Sequence, residues 1–414
     1  MLLFVEISPA NKRNREIIIR ESSVGRETNY SGVMLINVVP LICVFATIVA
    51  GVVGPDFSFG DAEFSIDYYR AAYNASSNCL VSPLSVRLAM VPFYRVAGSS
   101  ADRTIQRVFY LPLDKSVASD NAAEIFNGIN GNKQLQIAFK VLRQQNTLSD
   151  EFTIALDKTL KMIPDVVSFS EKSTVTNFIN EWAERVSNKQ IRNIAGIDNL
   201  DPSVELMLFN AVSLKASWAE KFPIGNTKRQ PFAFLNGIRE VDMMHTSLEV
   251  LYKHEDTYHA IQIPYGEESD LSMWILVPRG VGSFDSLMTT LSAELINDIE
   301  ITAMPKVAEV SLPRFEIRSD HDAKKIIQSM GYTQLFSDKA FNVFKGQKST
   351  LCGLRQSSFL LVDEDASEDS TSAFAPAKQR SKNTQFNVNQ PFIFIIKKIS
   401  SDTIVFIGHY SHHE

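Results

Sequence analysis

Apolar positions recur at helical spacing in three segments of the chain. Phe64, Tyr68 and Ala71 share one face of residues 61–73, which predicts a helix there. Over residues 175–191 the stripe is broader: Val175, Phe178, Ile179, Trp182 and Val186 fall on one face, and Glu181, Glu184 and Arg185 on the other. A short helix is predicted over residues 322–330, opened by Asp322 and stopped by Gly331. Elsewhere the period is two or the run is unbroken. Residues 205–214, 272–277, 392–396 and 404–407 read as strands buried on both faces. Val310, Leu312, Phe315 and Ile317 alternate on either side of Pro313, which predicts one strand with a kink. Helices crowd the first half and strands the second, the pattern of an α+β domain built on large sheets.

One interval has nothing to bury. Between an apolar flank that ends at Val362 and a second flank at Phe386 lies a run of small and acidic residues: Asp363, Glu364, Asp365, Ala366, Ser367, Glu368, Asp369, Ser370, Thr371, Ser372 and Ala373, followed by Arg380 and Ser381. Such a composition predicts an exposed loop. Its small and β-branched side chains would also fit a sheet that opened to receive them.

Composition narrows the partners. The 414 residues carry a formal charge of -6, and their basic residues are scattered, so no surface for nucleic acid is expected. No low-complexity linker or internal repeat divides the chain, so one large domain is expected. None of the seven histidines sits in HExxH or beside a recognisable nucleophile, and no Gly-rich phosphate loop is present. The reading is therefore a protein that is not an enzyme and needs no cofactor or metal, with His412 and His413 as an exposed tail.

Residues 28–55 carry no charge, and residues 38–53 are almost wholly apolar, opened by Met34 and closed by Ala50, Gly51 and Gly54. That layout predicts a secretory signal over residues 34–50, an upstream extension over 1–33 without a structural role, and a single domain over 51–414. The competing reading is an uncleaved anchor over residues 34–53, interrupted by Asn37 and Pro40. Beyond the signal only Cys79 and Cys352 remain, and both are expected as buried free thiols. Asn74-Ala75-Ser76 is a glycosylation sequon for a secreted chain.

The run Asn78, Cys79, Leu80, Val81, Ser82, Pro83, Leu84, Ser85 resembles the Asn-x-x-x-Ser-Pro-x-Ser motif of serpins. Further matches follow in family order. They are Ile179, Asn180, Glu181, Trp182 with Ile191; Asn210, Ala211, Val212 with Lys215, Trp218 and Phe222; Val241, Met243, Met244; Ile263, Pro264, Tyr265 with Leu271, Ser272, Met273; Leu312, Pro313, Arg314, Phe315; and Pro391, Phe392, Ile393, Phe394 with Phe406, Ile407, Gly408. The resemblance implies a serpin fold of three β-sheets and about nine helices, with a reactive loop over residues 364–390 held above the body. In inhibitory serpins a serine protease attacks this loop and is trapped as an acyl-enzyme when the cut loop enters the large sheet as an extra antiparallel strand.

Two rulers implied by the resemblance place the cut. Glu364 matches the family glutamate sixteen residues before the scissile residue, and 364 + 16 = 380. About ten residues separate the position after the cut from the Pro-Phe pair, and 391 - 381 = 10. Both select Arg380 and Ser381. A guanidinium there suits a protease with a carboxylate in its specificity pocket, so the expected partner is a trypsin-like serine protease.

If the loop inserts, alternate side chains face the core: Ser367, Asp369, Thr371, Ala373, Ala375 and Ala377. Asp369 stands where the family has alanine, Ala366 where it has glycine, and Pro376 lacks a ladder donor. Ser82, Ser85, Asn210 and Trp218 match residues that control sheet opening, with Gln356 in place of a histidine. Only Arg355, Gln356, Ser357 and Ser358 separate Leu354 from Phe359, which predicts a segment shortened by about ten residues relative to the family. The sequence thus reads as a secreted, extracellular, monomeric inhibitor. The alternatives are a non-inhibitory serpin acting as a carrier or binding protein, and a substrate cleaved without trapping.

Overall fold

The computed structural model describes residues 3–7, 17–21, 60–364 and 384–413, apart from short interruptions at 131, 146, 197–203, 267–269, 281–282 and 338–339. The chain divides into two units, Met1–Val52 and Val53–Glu414. In the first, β1 (Leu3–Ile7) and β2 (Ile17–Glu21) pair antiparallel from Leu3 opposite Glu21 to Ile7 opposite Ile17. This two-stranded ribbon falls within residues 1–33, the segment read as an upstream extension without a structural role. The predicted signal segment, residues 34–50, lies outside the described residues. Among the described residues no helix is long and apolar enough to cross a membrane.

The second unit holds ten α-helices among its described residues: α1 (Asp61–Ala72), α2 (Pro83–Arg95), α3 (Ser99–Val108), α4 (Lys115–Ile129), α5 (Asp150–Leu160), α6 (Lys172–Val186), α7 (Phe284–Thr290), α8 (Ala293–Thr302), α9 (Ala323–Ser329) and α10 (Gln334–Ser337). Its strands are β3 (Cys79–Val81), β4 (Leu135–Arg143), β5 (Asp165–Val166), β6 (Leu206–Lys215), β7 (Lys228–Phe234), β8 (Gly237–His254), β9 (Tyr258–Pro264), β10 (Leu271–Pro278), β11 (Met304–Pro313), β12 (Phe315–Asp322), β13 (Phe341–Phe344), β14 (Gln347–Ser349), β15 (Gly353–Val362), β16 (Thr384–Asn387), β17 (Phe392–Lys398) and β18 (Thr403–Tyr410).

Two large sheets follow from these strands. One has five strands in the order β12-β15-β6-β4-β5. The other runs β16-β11-β8-β9-β10-β17-β18-β3, with β7 branching from β8. Strand β8 is 18 residues long, and it joins a sub-sheet of β7, β11 and β16 to a second sub-sheet that begins at β9. Counted this way the molecule has the three sheets that the resemblance implies.

Helix α2 lies between the sheets and sets the core. Pro83 opens it at a position where no amide hydrogen is needed, and residues 83–94 are all buried. A helix apolar on all sides has to be enclosed, and α2 packs against β6 of one sheet and β18 of the other. Arg87, fully buried on α2, is neutralised by Asp61 at 2.7 Å and donates to the carbonyl of Phe109. The second carboxylate oxygen of Asp61 accepts from the Ile404 amide, which ties α1 to β18. Gly408 on β18 is required by close approach: a Cβ there would meet the Cys79 carbonyl at 2.4 Å and the Phe394 ring at 2.6 Å.

Several sequence readings need correction. The kinked strand around Pro313 is two strands in different sheets, with the crossing at Arg314, whose amide donates to Asp242 O at 2.8 Å. Proline stands at the last position of β11, and Phe315, just past Arg314, starts the strand of the other sheet. Phe178 was placed on the buried face of its helix but is 37% exposed, with the Lys140 ammonium over its ring at 5.3 Å. Cys79 is buried as expected, whereas Cys352 is only half-buried; both are free thiols. The segment expected to be shortened leaves no gap in the sheet. Strand β15 runs ten residues, in unbroken register with β6 from Gly353 opposite Met207 to Leu361 opposite Lys215. The tail read as exposed has His413 at the surface, and its backbone is also held: the Ser411 and His412 amides donate to Asn78 Oδ1, and the His413 amide to Asn236 Oδ1.

Candidate functional site

The centre of the five-stranded sheet is a seam between two parallel strands, β6 and β15. Their outer neighbours, β4 and β12, are antiparallel to them. At one end of the seam the chain leaves β15 through Val362, Asp363 and Glu364. It returns at Thr384 as β16, which pairs parallel with β11 at the edge of the other sheet. The connecting residues 365–383 lie outside the described residues. With them go the predicted reactive bond, Arg380 and Ser381, and the hinge residues Asp365, Ala366, Ser367, Glu368, Asp369, Ser370, Thr371, Ser372 and Ala373.

Both anchors of this connection are specific. At the departing end, Trp218 donates its indole N–H to the Asp363 carbonyl at 2.9 Å and stacks on Tyr265 with ring centroids 4.5 Å apart. Glu364 is 7% exposed; one carboxylate oxygen accepts from Thr227 Oγ1 at 2.6 Å and the other lies 3.5 Å from Arg314 Nη1. Arg314 also pairs with Asp242, so one guanidinium holds β8 and the end of β15 together. At the returning end, Phe386 packs against His259 at 4.5 Å and Tyr252 at 6.3 Å. Burial, the nearby His254 and the Arg279 charge together push the His259 imidazole down to about 4.

Midway along the seam, the sequence-predicted control residues converge. Gln356 of β15 lies opposite Asn210 of β6, and both point toward the start of α2. Gln356 Nε2 donates to Ser82 O at 2.8 Å and to Ser85 Oγ at 2.9 Å, and Gln356 Oε1 accepts from the Ser82 amide at 3.2 Å. Ser85 Oγ lies 2.8 Å from both Ser82 O and Asn210 Oδ1. The N-terminus of α2 therefore holds both central strands. The network is incomplete: Ser82 Oγ, Asn210 Nδ2 and Ser358 Oγ are buried without a hydrogen-bond partner. One strand over, burial pushes the His321 imidazole below its usual range, with Nε2 3.2 Å from the Leu80 carbonyl.

Among the described residues no cluster of three or more His, Cys, Asp or Glu side chains could hold a metal ion. Asn74 is exposed on the turn after α1, with Oδ1 accepting from the Ser76 amide at 3.0 Å.

Residues 60–413 match the family described as Serpin (serine protease inhibitor). The chain is a serpin. Neuroserpin of Rattus norvegicus is 27% identical over 390 residues, covering 89% of this chain and 94% of that one. Serpin B3 of Homo sapiens is 24% identical over 388 residues, covering 86% and 98%. Among solved structures, SRPN18 of Anopheles gambiae superposes with a TM-score of 0.79 at 25% identity, covering 86% of this serpin and 98% of that chain. Serpins as a family are inhibitors of serine proteases rather than catalysts, and the family partner is the target protease.

Thr227, Asp242 and Tyr265 escaped the sequence reading as site residues. Glu364 and Thr227 are 137 positions apart, and no periodicity links them. Arg314 was visible as part of the Leu-Pro-Arg-Phe motif, but its role as a common partner of Asp242 and Glu364 needed the two sheets in place.

Proposed function

We propose that this serpin is a secreted inhibitor of a trypsin-like serine protease, which it traps after cleavage between Arg380 and Ser381. The observation that carries the reading is the closed parallel seam whose β15 leads directly into the loop. A strand that followed β15 by a tight turn would enter antiparallel to both β15 and β6, replacing one parallel ladder with two antiparallel ones. The protease serine attacks the Arg380 carbonyl carbon, the bond to the Ser381 nitrogen breaks, and Ser381 leaves with a free amine. Arg380 remains as an ester on the protease. Insertion then carries that ester away from the position where water would resolve it. Arg380 supplies the guanidinium for the carboxylate of a trypsin-like pocket. Ser82, Ser85, Asn210 and Gln356 act as the lock on the seam, and Trp218 with Glu364 fixes where the loop leaves it. Residues 34–50 act as the signal peptide, and Asn74 carries a glycan on the exported chain.

Asp369 and Ala366 in the inserting arm favour the competing reading, a serpin that is cut or bound without trapping. One experiment separates the two. Trypsin is incubated with the protein, the products are run on a denaturing gel, and the cut is mapped by mass spectrometry. Trapping gives a covalent complex, a free amino terminus at Ser381 and a nicked form that melts higher. An Arg380→Ala variant gives none of these with trypsin. A clean cut after Arg380 without complex and without a rise in melting temperature refutes the inhibitory reading.

A further inference from the structure

The outer face of the five-stranded sheet carries a contact that spans the seam. Helix α6 packs on this face: Ile179, Trp182 and Ala183 cluster with Leu142, Met207, Phe209 and Ala211 of β4 and β6 and with Phe359 of β15. After α6 the chain turns through Asn188 and Lys189, both in the left-handed region with φ of 49° and 66°, and residues 190–193 pass to the other side of the seam. There Arg318 of β12 donates Nη1 to the Gln190 carbonyl at 2.6 Å. The same guanidinium donates Nε to Glu316 at 2.8 Å and lies over the Phe359 ring of β15 at 5.0 Å. Three contacts thus fix one planar group, and one of them reaches across.

Beside that apolar cluster the two halves leave an open space on this face. A cavity of about 190 Å³ lies between residues 190–193 on one side and Arg318, Asp320, Ser357 and Ser358 on the other. The Arg318 side chain is 48% exposed, so the core does not need it for burial. Because α6 rides on β4 and β6, parting β6 from β15 requires the connector either to lift from β12 or to break its bond with Arg318.

We infer that Arg318 is a clamp: a positioning residue that holds the connector after α6 across the β6–β15 seam and sets how readily that seam opens. Its consequence for trapping rests on the inhibitory reading above. Its effect on seam opening in the uncut protein does not.

Hydrogen exchange on the intact, uncleaved protein tests it. Arg318→Met keeps an apolar stem on Phe359 and removes the donors; Arg318→Lys keeps a cation with a compact donor head. The clamp requires amides bonded between β6 and β15 to exchange about tenfold faster in Arg318→Met, as expected for loss of a charge-assisted bond at a half-exposed site. Exchange in the β17–β18 pair of the other sheet should stay unchanged, and Arg318→Lys should restore part of the protection. Unchanged seam exchange overturns the clamp, as does a uniform rise across both sheets with a lower melting temperature. A faster seam in Arg318→Met, with no trypsin complex from either protein, leaves the clamp standing and removes the trapping reading. An unchanged seam in a protein that traps trypsin removes the clamp alone.

Discussion

Replacing Gln356 with alanine is the most direct probe of the lock. The side chain is 1% exposed and makes four hydrogen bonds of 2.8 to 3.4 Å, the longest to Asn210 Oδ1 across the seam. Their loss is uneven. Ser82 O keeps Ser85 Oγ at 2.8 Å, and Ser85 Oγ still has Ser82 O and Asn210 Oδ1 as alternative acceptors for its one hydrogen. The Ser82 amide loses the side-chain oxygen it bonds, and leaving such a buried N–H unpaired costs about 1–3 kcal/mol. Emptying the volume of the truncated side chain adds about 1–2 kcal/mol. The total is about 2–5 kcal/mol. With about 2.1 cal/mol/K of unfolding entropy per residue over the 362 residues of the second unit (414 - 53 + 1), that is a fall in melting temperature of about 3–7 °C. Differential scanning calorimetry of the two uncleaved proteins at pH 7.5 measures it. A fall below about 1 °C would show that these bonds do not hold the seam, and the lock would have to be sought elsewhere.

His409 gives a pH prediction. It is fully buried, with Nδ1 2.7 Å from the Tyr69 hydroxyl and Nε2 3.0 Å from the Ser77 carbonyl, and burial pushes it down to about 4. The unfolded chain takes up the proton first, near 6.5, so the stability this group contributes is complete above that pH and is lost as pH falls from about 6.5 toward 4. The loss amounts to about 3 kcal/mol, and denaturant titrations at pH 7.5 and 4.5 should show it shrinking in His409→Gln; an equal loss in both proteins refutes the assignment. Arg87→Leu leaves Asp61 buried with only the Ile404 amide and should cost about 3–5 kcal/mol, part of it recovered when Asp61→Asn is added. No recovery in the double variant would mean that packing, rather than the charge left behind, sets the cost. Asp369→Ala removes a carboxylate from the proposed inserting face, so complex formation with trypsin should accelerate and less inhibitor should be consumed per protease trapped. Unchanged kinetics would place Asp369 outside the inserted face.

Sequence pattern located the elements well where a period was sustained or a run was wholly apolar. The helix read over 61–73 is α1, and the runs at 205–214 and 392–396 are β6 and β17. It failed where sheets exchange strands. Nothing local distinguishes a strand kinked at Pro313 from two strands that part there, because the alternation is the same on both sides; the difference lies in which partners β8 and β15 offer. The lock was legible as residue types, since Ser82, Ser85 and Asn210 come from ordered motifs. Gln356 stands in place of a histidine, and its amide reaches the start of α2 with both a donor and an acceptor. The partners of Glu364 were not legible, because Thr227 and Arg314 meet it only after β7, β8 and β12 are assembled.

The seam itself argues that the native arrangement stores free energy. Its two strands are parallel, the less favourable pairing, and their inner face leaves Asn210 Nδ2 and Ser358 Oγ buried without partners. Each unpaired polar atom costs about 1–3 kcal/mol, and an ordinary core would replace it with carbon or a partner. A strand entering between β6 and β15 would bring its own hydroxyls and backbone groups to that site. Thr371 is placed for this by the alternation of the proposed inserting face, which makes Thr371→Val a sharper test than its small change in volume suggests. Loss of the hydroxyl should lower the melting temperature of the cleaved, inserted form while leaving the uncut protein unchanged. Equal melting of both cleaved forms would mean that the unpaired atoms of the seam are not what insertion satisfies.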